Sequence, residues 1–197
     1  MKNLLLCMLL VSFGAVVGCS NDSTTNTGNG GGGGNATDYM PVTNGSSWHY
    51  ATPTGTVTRT VSGTSTYFSK TFIDIDGTDG NTYSYRGDTN ILYFITPKND
   101  STAQESIFLN TVVGSTWSYD MEIFTIPIHV TCKTVAAGLT RKVNGKDYSD
   151  VLQIQNSVSS LGATGSIDIY FAKGVGEIET VDPSGDKSET LTEYEIK

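Results

Sequence analysis

The amino-acid sequence predicts an all-β protein: a single antiparallel β domain, half-barrel or barrel-like, carrying an internal echo that points to a duplication. Three observations carry that prediction. Apolar and polar residues alternate with period two in run after run, and no stretch of the domain sustains a helical period. Thr, Tyr and Val, which suit a pleated and half-buried surface, abound. Turn-forming sets separate the runs, among them Asp76-Gly77-Thr78-Asp79-Gly80-Asn81, Asn144-Gly145 and Pro183-Ser184-Gly185-Asp186.

Taken from the N-terminus, residues 1–18 read as a signal peptide outside the fold. Lys2 precedes an apolar run from Leu4 to Val17, and no charge follows until Asp22. The run is shorter than the roughly 20 apolar residues of a membrane-spanning helix, and its layout is that of a secretory signal. Val16-Val17-Gly18-Cys19 resembles the lipobox of bacterial lipoproteins. That resemblance implies cleavage before Cys19, a diacylglycerol on its sulfur and an acylated amino group. Anchoring of this kind needs two or more chains, because one myristoyl chain binds only marginally at ~0.8 kcal/mol per buried methylene. Ser20 stands where many inner-membrane lipoproteins carry Asp, which by the same resemblance implies the outer membrane. The expected partner is membrane lipid, reached through acylated Cys19.

Ser20 to Asp38 reads SNDSTTNTGNGGGGGNATD, with no aromatic residue and one aliphatic one, Ala36. So little apolar surface does not offset the entropy of ordering. Residues 19–38 are therefore expected to form a lipidated, disordered Gly-rich tether, and a coil of that length spans ~24 Å. The Gly run lacks the preceding strand and following Lys-bearing helix of a phosphate cradle. The domain proper is residues 39–197, one unit large enough to bury a core without staples.

Charge and cysteine usage narrow the function classes. The formal net charge is −8, and loss of Lys2 with the signal makes it more negative still. This balance speaks against nucleic acid as a partner, since phosphates require clustered Lys and Arg, and against a domain lying flat on anionic lipid. Cys7 leaves with the signal and Cys19 takes the lipid, so Cys132 has no disulfide partner within the chain. It sits in Phe124–Lys133 beside Ile128 and Val130 on the apolar phase of the alternation, where a thiol behaves as a small hydrophobe.

The strand candidates are Ser47–Thr52, Thr56–Ser62, Tyr67–Ile75, Thr82–Arg86, Ile91–Thr96, Glu105–Leu109, Thr116–Tyr119, Ile123–Val135, Val151–Val158, Ser166–Phe171, Gly176–Val181 and Glu189–Ile196. The echo lies within them. Tyr39-Met40-Pro41-Val42-Thr43-Asn44-Gly45-Ser46-Ser47-Trp48-His49-Tyr50 aligns with Phe108-Leu109-Asn110-Thr111-Val112-Val113-Gly114-Ser115-Thr116-Trp117-Ser118-Tyr119. In each copy a Gly makes the turn, and Trp and Tyr two apart then share one strand face. Burial in a common core is the expected fate of these rings. A sugar-stacking platform is the alternative, and it requires Trp48 or Trp117 to lie exposed.

Tyr39-Met40-Pro41-Val42, Gly45-Ser46-Ser47-Trp48-His49-Tyr50, Val143–Leu152 and Tyr170-Phe171-Ala172-Lys173-Gly174-Val175-Gly176 resemble the Y-F-P-L, G-x-x-W-x-Y and Y-A-x-G-V-G pattern of uncharacterised bacterial lipoproteins. The resemblance implies secretion, lipidation and an all-β fold. It implies no activity and no site residues.

Few residues point to chemistry. His49 and His129 are the only imidazoles, each most simply a solvated strand residue, and the zinc-protease, nucleophile-elbow and P-loop motifs do not occur. Asp74, Asp76 and Asp79 are the candidate calcium ligands. Their spacing departs from the EF-hand loop and position twelve, Tyr85, is not Glu, so a hairpin turn is the preferred reading. Glu177, Glu179, Asp182, Asp186, Glu189, Glu193 and Glu195 crowd the C-terminus; paired carboxylates equip glycosidases, but alternation predicts that these line the outward face of a terminal hairpin. The combined expectation is a non-enzymatic lipoprotein with no catalytic residue, metal or cofactor, serving as an envelope structural module or binding an envelope protein or glycan ligand. The alternative is a surface carbohydrate-binding or carbohydrate-degrading lipoprotein. A deep pocket lined by convergent ionisable groups would count against the first.

Overall fold

A computed structural model of the chain describes residues 35–96, 104–123 and 126–197. Cys19 and the Gly run lie outside the described residues. A short 3-10 helix, Ala36–Tyr39, leads into twelve strands: β1 (Ser47–Thr52), β2 (Gly55–Tyr67), β3 (Lys70–Gly77), β4 (Thr82–Gly87), β5 (Ile91–Thr96), β6 (Gln104–Asn110), β7 (Thr116–Ile123), β8 (Ile126–Val143), β9 (Lys146–Ser160), β10 (Ala163–Ala172), β11 (Gly176–Val181) and β12 (Lys187–Glu195). All pair antiparallel in one sheet of order β6-β5-β4-β3-β2-β1-β12-β11-β10-β9-β8-β7. The sheet comes close to closing into a barrel. The Trp117 indole of β7 donates to the Ile107 carbonyl of β6 at 3.0 Å, and Phe108 of β6 meets Phe171 of β10 edge-on.

The order resolves into two six-stranded meanders, β1–β6 and β7–β12, joined where β1 pairs with β12. The sequence echo opens each meander, and its backbone bonds repeat. Gly45 N–H donates to Val61 O and Val61 N–H to Ser46 O; Gly114 N–H donates to Thr134 O and Thr134 N–H to Ser115 O. Gly45 and Gly114 both hold positive φ, 83° and 87°, a conformation that glycine takes without the Cβ penalty.

Each meander also has one overlong hairpin that leans across its outer surface. Lys70 of β3 is paired with Glu105 of β6, and Lys146 of β9 with the Tyr194 hydroxyl of β12, each across three strand spacings. Three spacings in a flat sheet are ~14 Å, beyond the reach of a lysine, so both hairpins must fold over. Strand irregularities supply the bend: the β2–β3 register shifts between Val61 and Gly63, and the β8–β9 register shifts three times between Thr134 and Arg141.

Two expected strands differ for the same reason. Tyr67–Ile75, read as one run, is broken by a turn at Phe68 and Ser69, whose φ values are 52° and 60°. β8 runs on to Val143, past the expected end at Val135, because Ala136-Ala137-Gly138 lacks alternation while remaining in the bent part of the ladder. Ahead of residue 39, Ala36 is buried and its N–H donates to Thr89 O.

Candidate functional site

Two convergences stand out inside the barrel. At the end where the chain enters, Tyr39 and Met40 are buried, the Trp48 indole donates to Val175 O at 2.5 Å, and Gly174 N–H donates to Asp38 O at 2.6 Å. A Cβ on Gly176 would lie 3.1 Å from Trp48 Nε1, so glycine is what lets the β10–β11 turn close on the ring. The segment from Tyr39 to Trp48 and the distant turn holding Gly174 and Gly176 thus form one packed cap. Trp48 is fully buried and Trp117 is 8 % exposed. Neither presents a face for a sugar, which removes the condition on which the stacking alternative rested.

The second convergence is ionic. Arg59 on β2, Glu177 on β11 and Glu189 on β12 meet on the inner face, with relative exposures of 3 %, 2 % and 2 %. Arg59 Nη2 bridges both oxygens of Glu189 at 2.7 and 2.9 Å, and Nη1 lies 3.5 Å from Glu177 Oε2. Thr180 Oγ1 donates to Glu177 Oε1 at 2.7 Å, and the Tyr50 hydroxyl donates to the Glu177 carbonyl. The guanidinium stands 4.5 Å from the Tyr50 ring centre and 5.7 Å from that of Tyr83, which adds cation–π attraction in a desolvated setting.

Alternation misplaced Glu177 and Glu189, and two β-bulges are the cause: one in β11, and one in β12, whose register to β1 jumps from Glu193 opposite His49 to Leu191 opposite Tyr50. Along β11 the register to β10 jumps from Glu177 opposite Phe171 to Glu179 opposite Tyr170, leaving Ile178 as the extra residue. A bulge switches the side-chain phase. Glu177 therefore turns inward to Arg59, while Glu179 turns outward. Glu179 is nevertheless buried: Arg141 Nε lies at 2.6 Å and Lys187 Nζ at 2.5 Å, beneath the leaning β8–β9 hairpin. The expected solvated row of carboxylates is thus corrected at Glu177, Glu179 and Glu189, and holds at Glu193 and Glu195, which are exposed.

Burial governs the electrostatics. Desolvation, reinforced by the neighbouring Glu177 and opposed by Arg59, pushes the Glu189 pKa up to about 8. Burial works against the Arg59 charge, but Glu189 and Glu177 outweigh it and raise its pKa further. Desolvation likewise raises Tyr50, Tyr83 and Tyr85 far enough to keep all three phenols neutral. At 2 % exposure the two carboxylates offer no approach to a glycosidic bond.

The other sequence candidates are dispersed. Asp74 accepts from Ser65 and Ser84, Asp76 from Thr82, and Asp79 from Asn81, so the carboxylates face separate partners. Among the described residues, no group of three or more His, Cys, Asp or Glu side chains is placed to hold a metal ion. His49 meets Thr58 Oγ1 at 2.9 Å on β2, and His129 meets Asp120 at 2.7 Å on the far side of the sheet order. Cys132 is fully buried, as its position in the alternation predicts. A groove of about 570 Å³ runs over β8, β9 and β10, lined by Thr131, Ser157, Ser159, Thr164, Ser166 and Pro183.

No family model matches the chain, and no curated protein matches it. Two solved structures are similar. One is a candidate lipoprotein from Parabacteroides distasonis, at a TM-score of 0.51 and 11 % identity, covering 80 % of this chain and 98 % of that one. The other is a candidate exported protein with a YmcC-like fold from Bacteroides fragilis, at a TM-score of 0.45 and 9 % identity, covering 78 % and 96 %. At that identity, the first likeness is one of fold.

Proposed function

We propose that this chain is a bacterial envelope lipoprotein, held in the outer membrane by acyl chains on Cys19, whose β domain is a non-enzymatic structural or partner-binding module. The observation that carries the reading is Val16-Val17-Gly18-Cys19 at the end of a short apolar run and ahead of a Gly-rich segment. Three further facts support it. The fold matches that of a candidate lipoprotein; the first described residues, Ala36–Tyr39, pack at one end of the barrel, which suits end-on attachment; and Glu177, Glu189 and both Trp rings are buried, which closes that carboxylate pair and the proposed stacking platform to a sugar.

Labelling of the expressing bacterium with a palmitate analogue tests the proposal. Wild-type chain should incorporate label, appear in outer-membrane fractions and start at modified Cys19 by mass spectrometry. A Cys19→Ser chain should incorporate none and leave the membrane. Processing after residue 18 and membrane partitioning that both survive Cys19→Ser would overturn the reading.

A further inference from the structure

The interior cluster has a charge count that does not close. Among the described residues facing it, Arg59 is the one cation, while Glu177 and Glu189 are both carboxyls. The remaining titratable neighbours are Tyr50 on β1 and Tyr83 and Tyr85 on β4, with Asp79 touching the Tyr83 hydroxyl at 3.5 Å from the rim. The phenols are neutral, and Thr180 contributes only a hydroxyl. With both carboxyls ionised the site would hold a net negative charge at 2–3 % exposure, and an uncompensated buried charge is expelled or neutralised. Both carboxyls meet the same guanidinium, Glu189 at 2.7 Å and Glu177 at 3.5 Å, so one cation serves two buried acids.

We propose that the Arg59–Glu177–Glu189 cluster retains one proton between its two carboxyls at neutral pH, which makes the barrel a proton-linked structure that weakens as the medium turns alkaline. The proton completes the balance: one guanidinium, one carboxylate and one neutral acid. The unfolded chain releases that proton in the ordinary carboxylate range. Stability from this cluster is therefore complete below about pH 4.5, declines as pH rises through the interval to about 8, and levels off above it. This inference does not depend on lipidation, and its test uses the same full-length chain in detergent micelles, so either can fail without the other.

Equilibrium unfolding by denaturant from pH 5 to 9 should show the folding constant of wild-type chain falling by up to ~10-fold per pH unit between 5 and 8. Glu189→Gln keeps a partner for Arg59 and removes the second carboxyl, so its slope in that window should vanish; Glu177→Gln should do the same. Infrared difference spectra of the wild type between pH 6 and pH 9 should show the carbonyl stretch of a neutral carboxylic acid at pH 6 alone. If the variants do not fold, the wild-type curve and spectrum decide. A flat wild-type profile from pH 5 to 8, a slope that both Gln variants retain, or a spectrum with no neutral acid at pH 6 would each overturn the proposal.

Discussion

The two places where the meanders meet are built differently. At one, β1 and β12 form a backbone ladder from Ser47 opposite Glu195 to Ala51 opposite Thr190. At the other, β6 ladders only with β5 and β7 only with β8, and the Trp117 indole crosses the seam to Ile107 O. The duplicated Trp is used at each place, but for different ends. Trp48 ties the laddered side to the β10–β11 turn, whereas Trp117 holds the seam itself. The interior follows the same division. Around the laddered junction sit Arg59, Glu177 and Glu189, while the row nearest the seam is Trp117, Cys132, Asn156 and Ile167. Buried ions need partners at fixed distances, and the ladder provides that rigidity; a seam held by side chains carries mainly apolar packing, which tolerates small displacements.

The largest effect should come from breaking the ionic side. Arg59→Ala leaves two buried carboxyls without a cation and should destabilise the fold by about 3–5 kcal/mol at pH 7, measured by denaturant unfolding; a loss below 1 kcal/mol would mean the ladder alone maintains the junction. Next come the two indole bonds. Trp48→Phe and Trp117→Phe each leave a buried carbonyl unsatisfied, at about 1–3 kcal/mol. They should separate by hydrogen exchange: Trp117→Phe is expected to deprotect amides of β6 and β7, and Trp48→Phe to leave the β1–β12 ladder protected. Equal patterns would erase the distinction between seam and junction. Gly176→Ala sharpens the capped end, because φ of 111° and the contact with Trp48 should together cost about 1–2 kcal/mol in thermal unfolding.

The smallest effect belongs to the outer clamps. Lys70 is nearly half exposed, so Lys70→Met should change stability by no more than about 1 kcal/mol. Its sign with pH is opposite to that of the interior. Although desolvation raises it, Lys70 and Arg86 hold the Glu105 pKa below the usual carboxylate range, so this contribution is present above that range and lost as pH falls through the lowered value. The acid limb of wild-type stability should therefore soften in Lys70→Met while the decline from pH 5 to 8 remains.

The sequence by itself determined the strand content, the number of strands and the duplication, because alternation, turn residues and a repeated Gly-Ser-x-Trp-x-Tyr are local signals that survive in every context. Ser47–Thr52, Ile91–Thr96 and Gly176–Val181 matched their strands to the residue. It also determined that Trp48, Trp117 and Cys132 are buried, since each lies on the apolar phase of its strand. Only the tertiary structure decided which carboxyls face inward and which hairpins fold over. Those outcomes depend on bulges at Ile178, at Thr192 and around Gly138, where one extra residue reverses or bends the pleat, and a bulge is defined by the partner strand rather than by its own residues. The site at Arg59 was hidden for the same reason: a lone Arg in a Thr-rich strand acquires its role from two acids more than a hundred positions away, brought beside it by the closing of β1 onto β12.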